Sequence, residues 1–114
     1  MAANRRRGEI SALIDGEERV LCLTLGALAE LESAFAVDDL AALAERFASG
    51  RLGARDLIRV VGAGLRGGGM KASDDEVAAM KAEGGAAGFA AIAAELLKVT
   101  FGAGGAQDGA GADP

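Results

Sequence analysis

The rhythm of apolar residues changes at Thr24, and that change decides most of what the chain can become. Before it, in Glu9–Ile14, the apolar residues Ile10, Ala12 and Ile14 fall on alternate positions, and Arg19–Leu25 is rich in strand-compatible side chains. After it, in TLGALAELESAF, Leu28, Leu31 and Phe35 recur at helical spacing, with Ala27 and Ala34 widening the stripe. A period of two handing over to a period of 3.6 predicts a β-hairpin followed by helices. Thr24 has the hydroxyl needed to cap the first of them, which starts near Leu25 and is expected to sit directly on the hairpin.

Asp15-Gly16 marks the reversal between the strands. A two-residue turn there would set Ile14 against Glu17 and Ala12 against Arg19. A four-residue loop over Asp15–Glu18 pairs Ala12 with Leu21 and Ile10 with Leu23, and so keeps one face apolar. The longer loop is the expectation.

Downstream, Asp38-Asp39 offers a cap for a second helix carrying Leu40, Leu43, Ala44 and Phe47, which Gly50 ends. A third helix over Ala54–Arg66 places Leu57, Ile58, Val60, Val61, Gly64 and Leu65 on one side and Arg55, Arg59 and Arg66 on the other. Ser73-Asp74-Asp75-Glu76 reads as a capping box that opens a fourth helix through about Lys81. The last helix, about Ala86–Phe101, carries Phe89, Ile92, Ala93, Leu96 and Val99 on one stripe. The predicted class is therefore α+β and predominantly helical, with an N-terminal hairpin packed on about five helices. Residues 1–7 read as a flexible basic arm, 8–101 as one domain, and 102–114 as a flexible Gly-rich tail without apolar periodicity.

Composition narrows the chemistry. The 114 residues contain no histidine, so the commonest general base and metal ligand are missing. Cys22, the single cysteine, lacks an activating partner and reads as a packed thiol in a strand. Gly62-Ala63-Gly64-Leu65-Arg66-Gly67 spells G-x-G-x-x-G, but it closes a helix where a dinucleotide site must open one, so its glycines read as packing and termination devices. Gly67-Gly68-Gly69-Met70-Lys71 lacks the Lys-Ser/Thr ending of a phosphate loop. Asp38-Asp39 and Asp74-Asp75-Glu76 precede helices and read as caps, not as cation ligands. No catalytic, cofactor or metal residue is assigned, and no enzyme activity is expected.

A net charge of -5 disfavours nucleic acid and anionic membranes as general partners. Charges interrupt the stretch after Arg5-Arg6-Arg7, which excludes an export signal there, and no apolar run is long enough for a span. Arg55, Arg59 and Arg66 remain as candidate partner-binding residues facing an acidic protein.

The run Asn4-Arg5-Arg6-Arg7-Gly8-Glu9-Ile10, then the hairpin, then Leu25-Gly26-Ala27-Leu28-Ala29-Glu30-Leu31-Glu32, resembles a family of small proteins encoded in the tail gene clusters of gene transfer agents and tailed phages. The likeness extends over about residues 4–101, and the family is grouped with phage tail assembly chaperones. It implies a non-catalytic protein of the producing cell's cytoplasm, without cofactor or small-molecule substrate. Such a protein would bind the tape-measure protein, the tail tube protein or both during tail morphogenesis, and self-association is compatible with it. The alternative is a structural tail component kept in the particle. A second alternative, a small DNA-binding regulator, rests on Arg5–Arg7 and the arginine stripe.

Overall fold

A computed structural model describes residues 3–102. The two strands, β1 (Glu9–Ile14) and β2 (Glu17–Cys22), pair antiparallel, and five helices follow: α1 (Leu25–Phe35), α2 (Leu40–Ala48), α3 (Ala54–Gly67), α4 (Asp74–Ala78) and α5 (Gly85–Phe101). The α+β, mainly helical class is as expected. Within the N-terminal arm, Arg5–Arg7 wind into one 3-10 turn capped by the Asn4 side chain. The Gly-rich tail from residue 103 onward lies outside the described residues.

The hairpin closes through the shorter turn, contrary to the expected four-residue loop. Ile14 pairs with Glu17, Ala12 with Arg19 and Ile10 with Leu21. Asp15 and Gly16 both have positive φ, at 54° and 78°, the geometry that matches the twist of paired strands. The polar side chains that this register places on the inner face are tolerated because they lie at the hairpin tip: Arg19 reaches back to Glu17 at 2.8 Å, while Ile10 and Leu21 are buried deeper in. A second tie holds the tip. Asp15 N–H donates to the Lys81 carbonyl at 2.7 Å, Lys81 N–H donates to Asp15 Oδ1 at 2.8 Å, and Ile14 bridges to Ala82. That contact also explains why α4 stops at Ala78 and does not run to Lys81: the backbone of 81–82 is extended beside the hairpin.

The centre of the molecule is α3, not α1. The hairpin is covered by α3 and by α5, whereas α1 packs on α3 and α2. Glycines decide this. At the C-terminal end of α3, Gly67 and Gly68 lie against the carbonyl oxygens of Cys22 and Val20, and a Cβ on either would collide with them. Gly64 lies between Leu21 and Leu96, where a Cβ would come 2.5 Å from Leu96 Cδ2. Only a helix bare of side chains along this edge can approach the strand so closely, and α1 has no such edge. Val60, Val61, Ala63 and Leu65 of α3 are fully buried, together with Leu21, Leu43, Ala93 and Leu96.

The helix ends follow their sequence signals. Thr24 Oγ1 accepts from Ala27 N–H at 3.1 Å, and Asp39 Oδ1 accepts from Ala42 N–H at 2.8 Å. The Ser73–Glu76 box closes in both directions, at 3.1 and 2.8 Å. The carboxylates of Asp39 and Glu76 are thus engaged by backbone N–H groups. Phe35 and Phe47 meet edge to face at 5.1 Å, with the Arg46 guanidinium over the Phe35 ring and bonded to Asp56, which fastens α1, α2 and α3 into one layer.

Candidate protein-protein interface

The arginines of α3 separate into two groups. Arg66 is turned inward to α1 and α4: Nη1 donates to the Ala72 carbonyl at 2.7 Å, and Nη2 donates to Glu30 Oε1 and Asp74 Oδ1, both at 3.1 Å. Gly62, one turn earlier, makes room for this network, since a Cβ there would come within 2.6 Å of Asp74 Oδ1 and 3.2 Å of Arg66 Nη1. Burial works to lower the pKa of the guanidinium, but the bonds and charges of Glu30 and Asp74 outweigh it and the net displacement is upward. Arg66 Nε is buried without a partner among the described residues.

Arg66 therefore joins three helices from within. Arg66→Ala is expected to destabilise the protein by about 1 to 2 kcal/mol, as loss of charge-assisted hydrogen bonds on a partly exposed group does. Chemical denaturation of the variant checks this, and Arg66→Lys should recover only part of the loss because it cannot reach all three acceptors at once.

Arg55 and Arg59 stay on the surface and have no carboxylate within 4 Å among the described residues. They line a shallow cleft whose opposite bank, on α4, carries Asp74 and Asp75. Ala54, Ile58 and Ala78 continue from this cleft into an apolar slot of about 170 Å³ between α3, α4 and α5. Leu57, Val61, Val77, Met80 and Phe89 form its walls. Two unpaired cations beside an apolar slot are suited to an acidic surface that presents a large apolar side chain.

A second, wider groove of about 710 Å³ separates α2 from α5 and is lined by Phe47, Leu52, Ala90, Ala94, Leu97 and Phe101. Sequence periodicity assigns Leu57, Ile58, Phe47 and Phe89 to the core and misses that they also form walls open to solvent. The small residues at Ala90 and Ala94, one turn apart on α5, are the signal that could have marked the groove.

The other sequence candidates fall into structural roles. Cys22 is half-buried on β2, its Sγ 3.7 Å from the Arg7 carbonyl, and burial followed by the Glu9 charge pushes its pKa up, against an opposing effect of Arg7. A thiol so held remains protonated and weakly nucleophilic. Of the arginines in the arm, Arg5 pairs with Glu95 at 2.5 Å and Arg7 with Glu9 at 3.6 Å. No helix among the described residues is long and apolar enough to cross a membrane.

A family model described as phage tail tube protein, GTA-gp10, matches residues 7–103, which take in the hairpin and all five helices. No curated protein and no solved structure matches the chain.

Proposed function

The chain belongs to the GTA-gp10 family of phage tail tube proteins, and we propose that it is a structural, non-catalytic component of the tail, built into the tube and retained in the particle. The observation that carries this reading is the family match over residues 7–103. It favours the structural alternative over transient assistance by an assembly chaperone, which the resemblance of the N-terminal stretches first implied.

The physical features support an assembly role. Among the described residues Arg55 and Arg59 are left without ion-pair partners beside an apolar slot, whereas Gly62, Gly64, Gly67, Gly68 and Arg66 are all engaged in the fold. The tape-measure protein becomes a neighbour inside the tube on this reading, not a client released after assembly. The regulator alternative gains nothing from the arm, where Arg5 and Arg7 already pair with Glu95 and Glu9.

Quantitative mass spectrometry of purified particles tests the proposal. The expected result is a copy number comparable to that of other repeating tail proteins. Finding the protein in producing cells but not in particles would overturn it and return the role to a chaperone.

A further inference from the structure

The slot between α3, α4 and α5, at about 170 Å³, is close to the ~150 Å³ of an engineered apolar cavity that admits one benzene ring. It takes a single large side chain. A helix laid into a groove would need room for a row of anchors one turn apart, which this slot does not offer. The occupant is thus a knob: one exposed apolar residue with negative charge beside it to meet Arg55 and Arg59.

The chain presents such a knob itself. Among the described residues three large apolar side chains are conspicuously exposed, Leu13 at 52%, Leu25 at 77% and Leu40 at 42%. Leu25 is followed by Gly26 and Ala27 and brings no charge, and Leu13 has Glu18 opposite it on β2 and Asp15 two residues on, whose Oδ1 is taken by Lys81 N–H. Leu40 alone follows two consecutive acids, Asp38 and Asp39, all three exposed where the chain enters α2. Asp39 caps α2 through Oδ1 alone, so its other oxygen and the carboxylate of Asp38 are left, beside the leucine, to match two guanidinium groups and a slot. Across the cleft Asp74 is held by Arg66, which leaves Asp75 as the one opposing charge on the rim not engaged by that network.

We propose that the slot receives Leu40 of a second copy of the chain, with Asp38 and Asp39 of that copy set against Arg55 and Arg59. Knob and slot are different surfaces, so the contact is head-to-tail, and each copy in turn offers its own knob to the next. Such a contact closes into a ring or continues as a filament, depending on the rotation between copies. This rests on the reading of the chain as a repeating tail subunit and names the surfaces that repeat.

Charge exchange tests it on the full-length protein. Arg55→Glu with Arg59→Glu reverses the slot. Asp38→Lys with Asp39→Asn reverses the knob while keeping an amide oxygen to cap α2. Sedimentation over a wide concentration range is expected to show self-association of the native protein, weakened about tenfold or more in either reversed variant and by raised salt. The four changes combined in one chain are expected to restore association to within about threefold of native. Circular dichroism establishes that each variant is folded, and Leu40→Ser, a change at an exposed site, should weaken association without altering charge.

A native protein that is monomeric throughout, or a combined variant no better than the worse of its parents, would overturn the contact. So would arginine variants that lose another tail protein while associating with themselves as before. Particle incorporation is read separately, so the contact can fail while the structural role stands.

Discussion

Gly68→Ala is expected to lower the melting temperature by on the order of 15 °C. The new Cβ would be driven onto the carbonyl oxygen of Val20, with the carbonyl carbon of the same residue at 2.8 Å. Both obstacles are backbone. Neither can rotate away as a side chain would, so the end of α3 must lift off β2. Overpacking of this kind costs about 3 kcal/mol, and a domain of this size loses roughly 4 to 8 °C per kcal/mol. The contrast is Gly26→Ala in the first turn of α1, where the nearest atom to an added Cβ is Thr24 Oγ1 at 3.8 Å. There the same change should stabilise by about 0.5 to 1 kcal/mol, through the entropy of the unfolded chain. Thermal melts of the two variants check the opposite signs, and equal shifts would refute the close seating of α3.

Leu21→Ala should cost about 3 kcal/mol, within the range for emptying a leucine site that the surroundings only partly refill. Leu21 is fully buried at the point where the hairpin meets both α3 and α5. Its Cβ and Cδ2 both lie 3.3 Å from where a Cβ on Gly64 would be, and Leu96 Cδ2 lies on the other side at 2.5 Å. The two sites are therefore coupled. Gly64→Ala alone is expected to destabilise, because the fully buried Leu96 has little space to give, but in the Leu21→Ala background Leu96 can move into the vacated space, and the added methyl group should cost less by about 0.5 to 3 kcal/mol. Urea unfolding of the two single variants and the double variant measures this difference. Strict additivity would mean that the three residues do not share one contact.

Much of the fold was legible in the chain because local chemistry and tertiary need coincide there. Thr24, Asp39 and Ser73 are cap residues, and they cap. The alternation before Thr24 and the 3.6-residue period after it correspond to real strands and helices. What misled was an assumption about uniformity. An apolar face kept continuous along the hairpin argued for the long loop, but the backbone preference of Asp15-Gly16 outweighs an unfavourable pair at an exposed tip, where Arg19 and Glu17 satisfy one another. The length of α4 and the partner of the hairpin were hidden for a different reason. Both depend on contacts between residues far apart in the chain, Asp15 with Lys81 and Val20 with Gly68, which no local pattern encodes.

The arginine stripe shows the same division within one helix. Spacing puts Arg55, Arg59 and Arg66 on a common side of α3, and the sequence treats them alike. Gly62 distinguishes them, because the space it leaves lets Arg66 and Asp74 meet over the helix while Arg55 and Arg59, without such a neighbour, remain outside. The glycine carried the information, yet reading it required knowing that α4 returns to that spot.

The seating of β2 on Gly67 and Gly68 also bears on how the protein is made. The strands leave the ribosome before α3, and the surface that covers the β2 edge is not synthesised until residues 23–67 have followed. At about 5 to 20 residues per second that interval is roughly 2 to 9 s. A lone two-stranded hairpin is marginal in water, and the tip is not tied until Lys81 appears. The hairpin is thus held at its edge and tip only by residues made well after it, and a nascent chain halted before Gly68 would hold an unprotected strand edge, the form most prone to pair with its neighbours on a crowded messenger.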